Sequence, residues 1–303
     1  MAKEAAACAG CLTGPDGFLE GRFHLAARAS GTSGSRLCGA AGSGLRVPRW
    51  GRSARVQAPP SPRVAWPVMH HEWSQMTFIH WRYPPERVQV LLPDQLTVET
   101  FDEAAWVGLT PFVMRGVRAP GLPALPWLST FPEINLRTYV RDARGRTGIW
   151  FLSLDAGRLP AALGGRSGYR LPYFWSDMSV EARDGHIRYR CRRRVPGPGG
   201  ARCDVEVGSG PPLSEDERDE LAHFLTARYR LFTLVAGRLA AALVEHPPWP
   251  LRRAHLISLE EDLVEAAGLP APEGHPVLHG SPGVPVRVGM WSWSTGGTRQ
   301  VNG

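Results

Sequence analysis

Hydrophobic and polar residues alternate with a period of two in many short segments downstream of Met76, and turn residues separate these segments. The pattern is typical of β-strands, whose side chains point alternately to the two faces of a sheet. Because strands and helices do not alternate, we predict a mostly antiparallel sheet, closed or folded over, with helices at its edges. The predicted strands cover 76–83, 96–101, 104–118, 131–140, 148–155, 169–181, 186–193, 202–207, 228–235, 238–245 and 284–293.

Local signals mark some of the connections between these elements. Asp184-Gly185 is a strong hairpin signal between two of the strands. Short helices are predicted at 86–92 and 158–163, and two more at possible capping boxes, in which a serine is followed three residues later by a glutamate. These pairs are Ser214 with Glu217 and Ser258 with Glu261, the second helix ending at Gly268.

The segment 131–140 has one distinctly polar face. Glu133, Asn135, Arg137 and Tyr139 share that face by alternation, and the intervening residues are mainly apolar. A carboxylate, an amide, a guanidinium and a phenol in register can bind and protonate a small polar molecule. The alternative is an ordinary half-exposed strand whose polar face meets water. The next predicted strand is apolar on both faces, which favours a pocket wall.

The first part of the chain differs from the rest in composition. Residues 1–68 are rich in Gly, Ala, Ser, Arg and Pro, and they carry nine basic and three acidic side chains. We predict a disordered extension or an over-long gene start there, one domain over 69–295 and a disordered tail over 296–303. The remainder is nearly neutral, with 26 arginines and 25 acidic residues, so the net charge of +7 is weak support for nucleic-acid binding.

Two residue types restrict the chemistry. Lys3 is the only lysine, so the predicted domain has no side-chain amine to act as a nucleophile. The five cysteines are scattered, and neither they nor the histidines have metal-ligand spacing, so we predict no metal. The sequence also has no phosphate-binding loop, dinucleotide fingerprint or G-x-S-x-G motif, and we predict no cofactor.

From Met76 onward the order of motifs resembles the bacterial YqjF-like family, known as domain of unknown function 2071. The family resembles acetoacetate decarboxylases in fold, which implies an α+β, mostly β chain: an antiparallel β-barrel or cone with a central cavity and a few peripheral helices. The resemblance implies a fold and a pocket but no particular reaction. The matching motifs are M-T-F-I-H-W-R (76–82), A-W-V-G-L-T-P-F (105–112), F-P-E-I-N-L-R-T-Y-V-R-D (131–142), G-I-W-F-L-S-L-D-A (148–156), L-P-Y-F-W (171–175), F-L-T-A-R-Y-R-L-F (224–232) and H-P-P-W-P-L (246–251).

The resemblance suggests candidate site residues and excludes one mechanism. Glu133 is similar to the cavity glutamate of the decarboxylase-like fold and is our candidate catalytic acid or base. A structural ion pair between Glu133 and Arg137 is the alternative. The decarboxylases react through a lysine Schiff base, which a domain without lysine cannot form. The candidate ligand-binding residues are Arg137, Asn135, Tyr139, His80, Arg82, Tyr173 and Trp175.

The densest basic cluster is an alternative binding surface. It comprises Arg188, Arg190, Arg192, Arg193 and Arg194. Arg188, Arg190 and Arg192 share one strand face that could bind phosphates, but a solvated strand face is favoured. We therefore predict a cytoplasmic protein that binds an anionic small molecule, without nucleic-acid or membrane partners, and leave a homo-oligomer open. The leading hypothesis is a lysine-independent lyase or hydratase acting on an oxo- or hydroxy-carboxylate. The alternative is a non-catalytic ligand-binding or interaction module.

Overall fold

The computed structural model describes residues 61–197 and 199–294, and β-strands make up most of this part of the chain. The predicted tail over 296–303 and all but the last eight residues of the predicted extension over 1–68 lie outside these residues. The strands are β1 (Pro67–Tyr83), β2 (Leu96–Val98), β3 (Thr100–Phe101), β4 (Ala104–Arg118), β5 (Phe131–Asp142), β6 (Thr147–Ala156), β7 (Tyr173–Arg183), β8 (His186–Val195), β9 (Arg202–Pro212), β10 (Arg230–Val235), β11 (Arg238–Glu245), β12 (Arg252–Glu261), β13 (Val277–Gly289) and β14 (Ser292–Trp293).

Four short helices accompany the strands in the described residues. The longest, α2, follows β6 directly and packs against β6 and β7. None of the helices in this part of the chain has the length and apolar character needed to cross a membrane. The helices are α1 (Pro85–Gln89), α2 (Leu159–Gly168), α3 (Glu220–Thr226) and α4 (Leu263–Ala266).

The strands form one mostly antiparallel sheet, as the alternation predicts. Its order is β14-β11-β10-β6-β7-β8-β9-β12-β13-β1-β4-β5-β2, with β3 beside β4. Only the β10–β6 and β6–β7 pairs are parallel among the described strands. Further pairings join β6 to β5 and β11 to β13. Hydrogen bonds between neighbouring strands therefore form a closed circuit, in the order β13, β1, β4, β5, β6, β10, β11 and back to β13.

Strands β4, β5 and β6 lie side by side at the centre of the packing. β4 is buried without interruption from Ala104 to Met114, and β5 from Glu133 to Val140. Strands with both faces covered read as near-continuous apolar runs, which explains β4. In β5 one of the two covered faces is polar, so its polar groups point into the protein and not into water.

Strand β1 begins at Pro67, nine residues before the predicted start at Met76. Upstream of it, the Val64 side chain is only 4% exposed. Its backbone N–H donates to Glu245 Oε2 at 2.7 Å, and its carbonyl accepts from Arg287 Nη2 at 3.1 Å. Residues close to 64 therefore pack on β11 and β13, although their composition gives no periodic signal.

We expect a chain that starts at residue 69 to unfold at a lower temperature than one that starts at residue 61. Burial of a valine side chain contributes about 2 kcal/mol, which corresponds to roughly 4–8 °C in a domain of this size. Thermal unfolding of both chains measures the difference, and Val64→Ala in the longer chain should reproduce much of it. Equal midpoints would show that the contacts of Val64 contribute nothing to stability.

One predicted helix is wrong over most of its length. Ser258 lies in strand β12, and the helix α4 begins only at Leu263. Glu261 does cap this helix, because its Oε2 accepts from the backbone N–H of Val264 at 3.1 Å. Ser258 and Glu261 therefore do not form a capping box, although they have its spacing. Ser258 is an ordinary strand residue, and Glu261 alone caps the helix that follows.

The helix predicted at Ser214 is also displaced. Glu217 Oε2 accepts from the backbone N–H of Ser214 at 2.9 Å, so half of the capping box forms. The helix itself begins later, at Glu220, where Asp219 Oδ1 accepts from Ala222 N at 2.8 Å. The box closes a turn that precedes α3.

Candidate functional site

A cavity of about 550 Å³ lies against the polar face of β5. Glu133, Asn135 and Arg137 line it, together with apolar side chains from β1, β4 and β6 and part of α2. The segment between β4 and β5 also contributes apolar side chains. A mainly apolar cavity with a few converging polar groups is the usual form of a small-molecule site. Sequence alternation therefore identified three of its polar groups.

Glu133 is buried in this cavity and is protonated at neutral pH. Its side chain is 2% exposed, and desolvation raises its pKa from 4.5 to about 8. Hydrogen bonds from Tyr173 and Asn135 oppose this rise, and the charge of Asp155 adds to it. The Tyr173 hydroxyl lies 3.3 Å from both carboxyl oxygens. The arrangement suits a general acid whose pKa lies near the working pH.

Helix α2 fixes the position of Tyr173. A Cβ atom added at Gly165 would lie 2.3 Å from two carbons of the Tyr173 ring. Glycine costs about 1 kcal/mol relative to alanine inside a helix, so its presence there requires a reason. Here the missing side chain allows the ring to pack against the helix and the hydroxyl to reach Glu133.

Arg137 has no carboxylate partner among the described residues, since no ion pair shorter than 4.0 Å includes it there. Its Nη2 donates to the carbonyl of Leu225 at 3.2 Å, and its guanidinium lies 5.4 Å from the centre of the Phe78 ring. Nε is buried without a hydrogen-bond partner in the described part of the chain. The ion pair with Glu133 considered above is therefore not formed.

Tyr139 and His80 are buried behind the cavity and do not line it. The Tyr139 hydroxyl donates to the Leu225 carbonyl at 2.6 Å, so His80 Nε2, also at 2.6 Å, must donate to the Tyr139 oxygen. Burial lowers the pKa of His80 well below its usual value, which keeps the ring neutral. Gly108 makes room for this ring, because a Cβ there would lie 2.7 Å from it.

The two other predicted ligand-binding residues lie elsewhere. Arg82 is exposed, donates to the Asp102 carbonyl at 2.7 Å and lies over the Trp106 ring. Trp175 is half-buried at the side of the core and does not line the cavity, although it shares a strand face with Tyr173. Strand β1 directs the Arg82 side chain away from the cavity, so it is not a candidate for ligand contact.

Several cavity residues were missed by sequence reasoning. Arg228 and Arg230 line it, and Arg228 Nη1 is paired with Glu99 at 2.6 Å. His71 and Trp73 of β1 also line it, and their ring nitrogens have no hydrogen-bond partner in the described residues. The alternate arginines at 228 and 230 stand in a motif noted above, but only the tertiary fold shows that they reach β5.

The arginine cluster in β8 is mainly a surface of ion pairs. Arg188 pairs with Asp204 at 2.7 Å, Arg190 with Glu181 at 2.5 Å, and Arg194 with Asp177. Arg193 is an exception to the predicted solvated face. It is 5% exposed and forms two hydrogen bonds with Asp155, at 3.0 and 2.7 Å.

Cys191 and Cys203 are buried, reduced and paired in register across β8 and β9. Burial raises the pKa of both thiols, which keeps them protonated. In the part of the chain that the structure describes, no three His, Cys, Asp or Glu side chains are grouped in a way that could hold a metal ion. The other three cysteines lie outside the described residues.

Comparison with known proteins gives one family and one fold. Residues 70–285 match the DUF2071 family, described as an uncharacterized conserved protein. The uncharacterized protein YqjF of Bacillus subtilis strain 168 is 35% identical over 212 residues, which cover 70% of this chain and 86% of the relative. The family match includes every element that contributes to the cavity except the start of β1 and the end of β13.

Solved structures share the fold at low sequence identity. Acetoacetate decarboxylase from Legionella pneumophila strain Philadelphia 1 has a TM-score of 0.54 and 12% identity, covering 78% of this chain and 93% of its own. The enduracididine biosynthesis enzyme MppR, complexed with pyruvate, has a TM-score of 0.51 and 16% identity, covering 85% and 99%. The chain therefore has an acetoacetate-decarboxylase-like fold.

Proposed function

The chain belongs to the DUF2071 family, and on that premise we propose that it binds a small carboxylate in the cavity beside β5, with Arg137 holding the carboxylate. The observation that carries the proposal is the buried guanidinium of Arg137, which has no carboxylate partner in the described residues. A buried cation without a partner is costly, and a bidentate carboxylate would compensate it. We also propose that the returning strand pairings form a barrel or cone around this central cavity.

The charge of the cavity favours an anion. Glu133 is protonated at neutral pH, and the charge of Arg228 is balanced by Glu99. Arg118, Arg137 and Arg230 also line the cavity and remain as cations without a carboxylate within 4.0 Å among the described residues. An anion that enters this cavity therefore meets positive charge that water screens poorly.

We further propose that the protein is a lyase or hydratase for an oxo- or hydroxy-carboxylate, with Glu133 as the acid. A protonated carboxyl in an apolar site can give its proton to a departing hydroxyl or an enolate, and Tyr173 holds it in position. The pyruvate bound in MppR supports a carboxylate ligand for this fold. The free, buried thiols of Cys191 and Cys203 support a reducing compartment such as the cytoplasm.

Arg137→Ala should reduce carboxylate affinity about 10- to 100-fold and cost little stability, because a charge-assisted bidentate contact is worth ~1.5–3 kcal/mol. Glu133→Gln retains the shape of the side chain and should spare binding. Calorimetric titration with a panel of 2-oxo acids that includes pyruvate measures both effects. Arg194→Ala, which removes an exposed arginine of β8, is the control.

If carboxylate affinity is the same in Arg137→Ala and the parent, the proposed site is wrong. If Arg137→Ala instead unfolds easily, the residue is structural. A non-catalytic ligand-binding module on the same fold is the second candidate. It is favoured by the low pKa of about 3 of His71, the histidine that lines the cavity in the described residues, which makes this imidazole a weak base. Turnover that Glu133→Gln abolishes while binding persists would exclude this second candidate.

Any reaction should proceed without a Schiff base on a side chain, because residues 61–294 contain no lysine. We expect no covalent adduct in those residues after borohydride treatment in the presence of pyruvate or acetoacetate. Intact-mass measurement followed by peptide mapping tests this. An adduct mapped to any residue other than Lys3 or the terminal amine would contradict it.

A further inference from the structure

The cavity beside β5 changes along its length from a buried cation at Arg137 to a mainly apolar end, where Arg118 is exposed at the opening. From the polarity of its two ends we infer that its ligand is an amphiphilic carboxylic acid, with the carboxylate at Arg137 and an apolar chain extending past Glu133 towards the β4–β5 connection. The inference rests on the proposed function and adds the class of substrate. It excludes an acid as small as pyruvate as the best ligand.

Strand register orders the groups along the cavity. Arg137 pairs with Gly108 of β4, Glu133 with Phe112, and Phe131 with Met114. Met114 pairs in turn with Trp73 of β1, which also lines the cavity. At about 3.4 Å per residue, Phe131 lies roughly 20 Å along the strand from Arg137. A ligand that contacts both levels is therefore elongated.

The apolar end opens at the segment between β4 and β5. Leu122 and Leu125 of this segment line the cavity, yet they are 62% and 55% exposed. Val117, near the end of β4, lines the same region, and its backbone N–H is held by the Ser129 carbonyl at 3.0 Å. Large apolar side chains at a cavity opening remain in contact with water unless a ligand covers them. An apolar chain that reaches the opening would cover them.

The enclosed polar groups near this apolar end are neutral, and the cation of this end, Arg118, is exposed at the opening. Burial lowers the pKa of His71 to about 3, so its ring carries no charge, and Trp73 Nε1 is a neutral donor. These groups suit at most a hydroxyl or oxo substituent on the chain. Arg118 lies at the opening itself, farther from Arg137 than an eight-carbon chain extends. The second carboxylate of octanedioate would therefore lose its hydration in the apolar part without gaining a cation, so a dicarboxylic acid of this length should bind less well.

Calorimetric titration of the full chain near neutral pH tests the inference, with acetate, butanoate, octanoate, dodecanoate and octadecanoate as probes, so that the longest acid extends from Arg137 to the level of Phe131. We expect the affinity to rise about fourfold per methylene, which is the fold-change equivalent of ~0.8 kcal/mol, until the cavity is filled. Octanedioate and 1-octanol should both bind at least tenfold more weakly than octanoate. Arg137→Gln should weaken octanoate at least tenfold and leave 1-octanol unchanged.

A second variant tests where the chain lies. Val117→Trp narrows the apolar end of the cavity. The longest acids should therefore lose the affinity that they gain over shorter acids, and the affinity for butanoate should not change. Val90→Trp is the matched control, since Val90 is 78% exposed and does not line the cavity. If Val117→Trp and Val90→Trp bind the whole series alike, the chain does not occupy this end and the inference is wrong.

The outcomes separate this inference from the proposed function. If the binding of short acids requires Arg137 but the affinity does not rise with chain length, the inference is wrong and the proposed anion site is supported. If no acid binds in a manner that requires Arg137, the proposed function fails as well. If octanol binds as well as octanoate, the cavity takes apolar molecules without selecting an acid, and the inference is wrong.

Discussion

Asp155→Ala is expected to destabilise the fold by about 3–5 kcal/mol, or roughly 10 °C in unfolding temperature, because it leaves a buried arginine without its partner. Asp155 is fully buried and Arg193 nearly so, and two hydrogen bonds join them at 3.0 and 2.7 Å. Ser176 donates a further bond of 2.6 Å to Asp155. The Arg193 guanidinium also lies 3.7 Å from the centre of the Phe174 ring.

The neighbouring arginine provides the control for this prediction. Arg194 pairs with Asp177, but both side chains are about half exposed, so Arg194→Ala should change stability by less than about 1 kcal/mol. Urea unfolding of Asp155→Ala, Arg193→Ala and Arg194→Ala gives the comparison. Equal effects of Arg193→Ala and Arg194→Ala would show that burial adds nothing to the Asp155 pair.

A double replacement distinguishes the cost of an unpaired charge from the value of the pair. Asp155→Leu together with Arg193→Met removes both charges and fills a similar volume. Its stability should be much closer to that of the parent than either single alanine variant, because buried pairs often contribute little net free energy. A double variant as unstable as Arg193→Ala would mean that the pair itself stabilises the fold.

The sequence predicts the central strands well because their signals are local. β4 and β11 have the predicted bounds, and each contains a long apolar run. The hairpin at Asp184-Gly185 is confirmed, with φ values of 51° and 80° that suit these two residue types. The family and the mostly β, decarboxylase-like fold are confirmed by the comparisons, whereas the barrel stays a proposal.

Strand β12 was missed for a physical reason. Its residues alternate between half-buried and exposed from Arg252 to Glu261, and no side chain in it is fully buried. Such a strand is held by backbone pairing with β9 and leaves little hydrophobic signal in its sequence. The serine and glutamate at its end then resembled a helix start.

The candidate site was predicted only as far as alternation reaches. Alternation correctly places Glu133, Asn135, Arg137 and Tyr139 on one buried face. Alternation does not show that Tyr139 lies behind the cavity, because its position there depends on a hydrogen bond with His80, which is 59 residues away in sequence. Nor can it bring in Arg228, whose place depends on how β10 joins β6 in parallel.

Glu133→Gln is expected to make the protein more stable than the parent at neutral and alkaline pH. The pKa of Glu133 is raised from 4.5 to about 8 in the folded state by burial, so between these values the folded state holds a proton that the unfolded state has lost. The contribution of the protonated carboxyl is fully present below pH 4.5 and is lost as the pH rises through 8. Each pH unit in this window lowers the parent's stability by about 1.4 kcal/mol from this group.

Glutamine cannot titrate, so the difference in unfolding free energy between Glu133→Gln and the parent should be small near pH 5 and grow to a few kcal/mol by pH 8. Urea unfolding at several pH values measures this difference. Both proteins contain His71 and His80, so the contributions of these histidines cancel when the two unfolding free energies are subtracted. Glu181→Gln, at an exposed position of β7, should follow the parent at every pH.

Tyr173→Phe provides an independent check of the cause. Its hydroxyl lies 3.3 Å from both oxygens of Glu133, and the hydrogen bond opposes the rise in the pKa of that carboxyl. Removing the hydroxyl should therefore raise this pKa further and extend the loss of stability to higher pH. Parallel stability curves for Glu133→Gln and the parent would mean that Glu133 is a hydrated carboxylate, which could not serve as an acid at neutral pH.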